Sequence, residues 1–120
     1  MTFEERKAAA LELAALSEQV ASQIDHADLY AESDLGLLFG DIGRAMTRKR
    51  SRLPDSDYVK LFAQIEALLR GDDQKLSNAV AVGLLWQIAA AVVQSGFPKE
   101  VIDRHAGPNA RSYLKSFGHR

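Results

Sequence analysis

Apolar residues recur every three to four positions along almost the whole chain, which predicts helices rather than strands. The first helix is predicted from about Phe3 to Ile24, with Thr2 and Glu5 forming a capping box at its start. Its apolar stripe consists of Leu13, Leu16, Val20 and Ile24.

The second predicted helix is rich in glycine. It begins near Ser33 and Asp34, although Asp28 offers an earlier start. Its core face consists of Leu35, Leu38, Phe39, Ile42, Ala45 and Met46. Three glycines (Gly36, Gly40 and Gly43) each weaken the helix by roughly 1 kcal/mol relative to alanine. Either another helix packs closely against them or the segment is mobile. Because these glycines follow no strand, their GxxxG spacing favours helix packing over nucleotide binding.

A third helix is predicted to follow Pro54, with Asp55 and Ser56 as candidate caps. It ends near Arg70 and Gly71. Its core face consists of Tyr58, Leu61, Phe62, Ile65, Leu68 and Leu69.

The fourth predicted helix carries no charge between Lys75 and Lys99. A helix that is apolar on every side is enclosed by other helices or by lipid. Its apolar part, residues 79–93, in which only Gln87 is clearly polar, is shorter than the roughly 20 residues that a bilayer needs. We therefore expect the central helix of a bundle, not a membrane span. The residues expected to be buried are Val80, Leu84, Leu85, Ile88 and Val92.

Trp86, within this helix, has two interpretations. In so apolar a helix, tryptophan is most often part of the core, with its indole N–H bound to one partner. Tryptophan is also a common anchor of protein interfaces. We expect Trp86 in the core.

Two short helices, at residues 99–105 and 108–117, are predicted to complete the chain. Pro108 suits the first position of the second of them. The predicted fold is all-α and comprises a single domain, residues 1–120. Four main helices form a bundle around the central apolar helix, followed by a short helical C-terminal tail.

The composition narrows the functional classes. The net charge of −1 predicts no bulk attraction to nucleic acid or to an anionic membrane. Because the chain contains no cysteine, disulfides, thiol nucleophiles and cysteine-based metal sites are excluded. The N-terminal sequence MTFEERK lacks the features of a signal peptide, so we expect a cytoplasmic protein.

Signals of catalysis are nearly absent from the sequence. His26, His105 and His119 lie far apart, and neither a Walker loop nor a GxSxG motif occurs. The segment Asp25–Asp28, which includes His26, offers a loose metal site, but a polar turn before a helix is the stronger interpretation. We expect no enzyme activity, cofactor or metal.

The charges are strongly segregated along the chain. Residues 8–43 contain seven acids and no lysine or arginine, whereas residues 44–52 contain five bases and no acid. The acidic stretch is either a surface for a basic protein partner or a solvated face. Its expected contact residues are Asp25, Asp28, Glu32, Asp34 and Asp41. For the basic run Arg44–Arg52, favourable charge placement at a helix end and in a solvated loop is preferred over a phosphate-binding patch.

The C-terminal half contains two sequence motifs that are similar to those of a known protein family. One is the glycine–aspartate turn at residues 71–72 leading into NAVAVGLL, residues 78–85; the other is GPNARSYL, residues 107–114. Together they resemble small all-helical immunity proteins of bacterial polymorphic-toxin systems. Where the family pattern usually has phenylalanine and glutamate, this chain has Leu84 and Trp86. The resemblance implies an immunity protein that binds and neutralises a cognate toxin domain by blocking its active site.

Two other classes of function remain open on the sequence. One is a nucleic-acid-associated or regulatory module that uses the basic run Arg44–Arg52. The other is a helical subunit that forms a homodimer. Immunity, with a basic toxin as the partner, is the function that the sequence favours.

Overall fold

Seven α-helices make up most of the described chain, and this part of it contains no β-strand. The computed structural model describes residues 1–24, 29–48 and 52–118. The helices are α1 (Phe3–Ala14), α2 (Glu18–Ala21), α3 (Leu35–Thr47), α4 (Asp55–Leu69), α5 (Gln74–Gln94), α6 (Lys99–His105) and α7 (Pro108–Gly118). A 3-10 turn, Glu32–Asp34, leads directly into α3. The all-α class predicted from the sequence is confirmed.

The N-terminal segment is not one continuous helix. The capping box of Thr2 and Glu5 is present, but α1 ends at Ala14 instead of near Ile24. The reason lies at Ser17, whose backbone is extended (φ −135°, ψ 122°) and whose hydroxyl accepts a hydrogen bond from the Val20 amide at 3.3 Å. This serine therefore caps a new helix, α2, and the change of direction still buries Val20 and Ile24.

Helices α3 and α5 pack with their backbones in contact. A Cβ atom added to Gly43 would lie 2.7 Å from the carbonyl oxygen of Leu84. A Cβ atom added to Gly83 would overlap the carbonyl group of Gly36. Gly40 is less crowded, with the Gln87 side chain and the Gly83 carbonyl oxygen each at 3.7 Å from its added Cβ. The close helix packing inferred from the glycine spacing is confirmed.

Helix α5 changes its winding along its length. Residues Gln74–Asn78 and Trp86–Gln94 are α-helical, and the seven residues Ala79–Leu85 between them are π-helical. The wider turn lies where α5 meets the glycines of α3. Four of the five residues predicted to be buried (Val80, Leu84, Leu85 and Ile88) are fully enclosed, and Val92 is partly buried.

The neighbouring helices do not enclose α5 on every side, so that prediction was wrong. Val82 and Val93 are 67% and 70% exposed, and Trp86 is 49% exposed. Helices α3, α4 and α7 pack against the other sides of α5. By length and composition alone, α5 could cross a membrane, but about half of its most apolar stretch is buried inside the protein. Core helices of globular proteins meet the same criterion.

The C-terminal half follows the predicted order of elements. Helix α4 buries Tyr58, Leu61, Phe62 and Ile65 as expected, whereas Leu68 and Leu69 are partly buried. After α5, Gly96 takes a left-handed conformation (φ +70°) that reverses the chain and places Phe97 in the core. The two short C-terminal helices are present as α6 and α7.

Candidate functional site

The five acids expected to contact a partner differ in their surroundings. Asp25 and Asp28 lie outside the described residues. Glu32 lies in the 3-10 turn before α3 and is exposed. Asp34, two residues after Glu32, accepts a hydrogen bond from the Ala31 amide at 3.0 Å, so its carboxylate helps to form the turn.

Asp41 is held by internal partners. Its carboxylate accepts a hydrogen bond from the Tyr30 hydroxyl and forms an ion pair with Arg44 one turn along α3. Part of its charge is therefore compensated by Arg44. Asp41 contributes less negative potential to the surface than its position in the acidic stretch predicts.

Asp41 also lines a small polar cleft between α2 and α3, with a volume of about 210 Å³. The cleft is lined by Gln23, Ile24, Tyr30, Asp41, Arg44 and Arg48. The Oε1 atom of Gln23 is buried and has no hydrogen-bond partner among the described residues. Because the lining carries both signs of charge, the cleft does not extend the acidic surface.

Other acids of the same stretch remain open to solvent. Glu12 on α1 and Glu18 on α2 are exposed, as is Glu32. In the described part of residues 8–43, these three glutamates present the negative charge that the sequence predicted. Four of the five predicted contact residues are aspartates, and two of these, Asp34 and Asp41, bind groups within the chain.

The basic run contributes partly to local structure. Arg44 pairs with Asp41, and Arg48 lines the polar cleft. The guanidinium of Arg52 lies 5.9 Å from the centre of the Phe97 ring, a cation–π contact. Lys49 and Arg50 lie outside the described residues.

An exposed aromatic surface is the feature that sequence reasoning missed. The Trp86 ring packs edge-on against Phe117 of α7, with the ring centres 5.3 Å apart. Tyr113 lies next to Phe117, at 6.3 Å between ring centres, and is 40% exposed. We call Val82, Trp86, Val93, Tyr113 and Phe117 the tryptophan surface. The expectation that Trp86 belongs to the core was wrong, because the neighbouring helices leave this side of α5 uncovered.

A signal for this surface was present in the sequence. Val82, Trp86 and Val93 recur at intervals of four and seven, which places them on one side of a helix. The apolar residues on the remaining sides of α5 concealed this stripe. The structure shows that α3 packs on another side of α5 through its glycines and leaves this stripe exposed.

The C-terminal motif has a structural explanation at Glu66, a residue that the sequence analysis did not single out. Glu66 on α4 is 7% exposed, and its carboxylate accepts hydrogen bonds from the amides of Asn109 and Ala110 at 2.9 and 3.1 Å. The Asn109 side chain donates a third bond at 2.7 Å. Burial alone would raise the pKa of Glu66, but the three hydrogen bonds outweigh burial, so the pKa is lowered. The carboxylate thus caps the N-terminus of α7.

Gly107 fits the same arrangement. A Cβ atom there would lie 2.5 Å from the Glu66 Oε1 atom. The Gly-Pro-Asn-Ala sequence at residues 107–110 therefore matches what is needed to bring the first turn of α7 onto a buried carboxylate. The start of α7 at Pro108 agrees with the predicted position of this proline at the first residue of the last helix.

The turn before α5 is also structural. Asp73 caps α5 by accepting a hydrogen bond from the Leu76 amide at 2.8 Å. Arg6 of α1 donates to both carboxylate oxygens of Asp73, at 3.0 and 3.2 Å, and both side chains are largely buried. The hydrogen bond from Arg6 is the main reason that the pKa of Asp73 is lowered.

His105 takes part in a cluster at the start of α4. Its Nε2 atom lies 2.8 Å from the Asp55 carboxylate, and its ring stacks on Tyr58. Arg104 also contacts Asp55, at 3.4 Å. The hydrogen bond with His105 is the main reason that the pKa of Asp55 is lowered. His26 and His119 lie outside the described residues, and the described ones contain no group of three metal-ligating side chains.

Comparisons with known proteins found no matching family model, curated protein or solved structure.

Proposed function

We propose that this chain is an immunity protein that binds and neutralises a cognate bacterial toxin domain, and that it acts by binding rather than by catalysis. The resemblance of residues 71–85 and 107–114 to that family supports the proposal. The observation on which it chiefly depends is the segregation of charge along the chain, with seven acids and no lysine or arginine in residues 8–43. A protein that blocks the active site of a basic toxin needs a complementary charge and no chemistry of its own.

The contact is proposed on the N-terminal helices. Among the described residues its exposed carboxylates are Glu12, Glu18 and Glu32, and Asp25 and Asp28 are further proposed contacts. Carboxylates on such a surface accelerate encounter with a basic partner and orient it before close contact forms. Asp34 and Asp41 are proposed to shape this surface, because their carboxylates already bind within the chain.

A charge-reversal experiment tests the surface. Replacing Glu12, Glu18 and Glu32 by lysine should lower the association rate with the toxin by about tenfold or more and reduce its dependence on salt. A matched control reverses three exposed acids of the C-terminal half, Asp72, Glu100 and Asp103. It makes the same change in net charge and should leave the association rate nearly unchanged. Equal rates for the two triple variants would contradict the proposed surface.

A gel-shift assay tests the rival nucleic-acid function. It predicts salt-dependent binding to DNA or RNA that is abolished by reversing Arg48, Lys49 and Arg50. The immunity proposal predicts no specific shift for the wild-type protein. Since Arg44 and Arg52 already have partners within the chain, we favour immunity.

A further inference from the structure

The tryptophan surface is uncharged as well as exposed. Helix α5 contributes Val82, Trp86 and Val93 to it and carries no charge between Lys75 and Lys99. On α7, the two basic residues, Arg111 and Lys115, are each two positions from Tyr113. Two positions correspond to about 200° around a helix, so both bases point away from the tyrosine side.

The exposed apolar area of this surface is comparable to that of the largest apolar patch on a typical monomer. From the exposed fractions of four of its five residues and full residue areas of roughly 150–250 Å², we obtain an area on the order of 400 Å². The largest apolar patch on a typical monomer spans roughly 300–600 Å² and is often functional. A standard protein interface buries about 800 Å² per partner, with an apolar core and a polar rim. An area of this size is enough for the apolar core of one side of such an interface.

The arrangement along α5 is compatible with two-fold symmetry. Trp86 and Val93 lie at equal distances from the point between Ala89 and Ala90. If a two-fold axis passes through that point, two antiparallel α5 helices place Trp86 of each copy opposite Val93 of the other. The alanines at the axis permit an interaxial distance near the short end of the usual range, about 8 Å.

We propose that the tryptophan surface is a homodimer interface, formed by antiparallel packing of α5 from two copies of this chain about an axis between Ala89 and Ala90. A second copy fits because a neutral surface meets its own image without like charges in contact. The inference does not depend on the immunity proposal, which concerns the N-terminal helices.

The oligomeric state as a function of concentration tests this proposal. In sedimentation equilibrium from micromolar to millimolar protein, the mass should rise from 13.2 kDa towards twice that value. Trp86 is the only tryptophan, so its fluorescence should shift to shorter wavelength over the same range as its ring leaves water.

Two matched valine variants locate the interface. Val93→Glu should raise the dimer dissociation constant by about tenfold or more, because a carboxylate would be buried against Trp86 without a partner. The control is Val59→Glu, which places the same charge at a half-exposed valine of α4 and should leave the constant unchanged. Circular dichroism of both variants checks that the fold is intact, and Trp86→Ser provides a second disruption if Val93→Glu does not fold.

Chemical cross-linking tests the position of the axis. Since the chain has no cysteine, Ala90→Cys introduces a single thiol, and a short bis-maleimide should join two copies of this variant in high yield. Val59→Cys should give no such product. A wild-type protein that is monomeric up to millimolar concentration would overturn the proposal. So would a dimer that Val93→Glu leaves intact.

Discussion

Replacing Gly83 by alanine should show how much of the fold depends on backbone contact between α3 and α5. The new Cβ atom would overlap the Gly36 carbonyl and lie 3.2 Å from the Gly40 amide nitrogen. These are backbone atoms, so no side-chain rotation relieves the overlap. The two helices would have to separate, and contacts along their whole interface would loosen.

The expected loss of stability combines two opposing effects. Overpacking of this kind typically costs about 1–3 kcal/mol and occasionally more. Alanine in a helix interior gains roughly 1 kcal/mol over glycine, which offsets part of that cost. We expect Gly83→Ala to lower the free energy of unfolding by about 1–3 kcal/mol, since overlap with the Gly36 carbonyl oxygen and tight contact with the Gly40 nitrogen place it at the severe end of overpacking.

Gly36→Ala is the matched control on the opposite helix. A Cβ atom at Gly36 has no neighbour within 4 Å, so only the helix-propensity gain applies. This variant should be more stable than the wild type by about 0.4–1 kcal/mol. Urea unfolding followed by circular dichroism measures both changes. If Gly83→Ala is as stable as Gly36→Ala, the two helices are not in backbone contact and the packing described here is wrong.

Three further changes probe the core and the buried carboxylate. Leu85→Ala should lower the free energy of unfolding by about 2–5 kcal/mol, whereas Val82→Ala on the exposed side of α5 should change it by only about 0.5 kcal/mol; similar thermal melts for the two would show that α5 is not the core helix. Gly107→Ala should destabilise the protein by about 1–3 kcal/mol, because its Cβ atom would displace the Glu66 side chain. In the double variant with Glu66→Ala this clash is absent, so the total loss should be smaller than the sum of the two single losses. Losses that simply add in chemical denaturation would contradict the contact. Glu66→Gln should cost about 1–3 kcal/mol at neutral pH. Because the pKa of Glu66 is lowered in the folded state, its ionised carboxylate stabilises the protein above the unfolded pKa of about 4.3, and this stabilisation is lost as pH falls through the folded pKa. The free energy of unfolding measured between pH 7 and pH 2 should therefore fall less steeply in Glu66→Gln than in the wild type. Parallel curves for the two proteins would refute this assignment.

The sequence predicted the parts of the fold that depend on periodicity and local caps. The core faces of α3 and α4, the capping box at Thr2 and Glu5, and the order of the C-terminal helices all follow from local patterns. Close packing at the glycines of α3 was one of two alternatives that the sequence left open, and the GxxxG spacing favoured it. The contact at Gly43 agrees with that alternative, whereas its neighbour Gly83 on α5 was not predicted.

Features that depend on tertiary neighbours were harder to predict. Ser17 ends α1 through its own hydroxyl, although the apolar stripe continues past it to Ile24. Trp86 is half exposed because the other helices cover only part of α5, and no local pattern records how much they cover. Similarly, Glu66 appears in the sequence as one more charged residue, and only the position of α7 makes it a cap.

The acidic residues of the N-terminal half could be predicted from the sequence only in part. The absence of lysine and arginine from residues 8–43 is evident from the sequence alone. Which of its carboxylates are available depends on neighbours such as Tyr30 and Arg44, which engage Asp41. The structure therefore moves the proposed contact towards Glu12, Glu18 and Glu32.

The immunity proposal predicts that the gene immediately upstream encodes a large secreted protein with a variable C-terminal domain, and its most direct test is a protection assay with that protein. Its C-terminal domain is expressed in a sensitive bacterial host with and without this chain. The proposal predicts that the domain alone stops growth, that this chain restores it, and that the two proteins co-purify as a complex weakened by the Glu12, Glu18 and Glu32 reversals. Growth arrest that persists despite expression of the folded chain would contradict the immunity function.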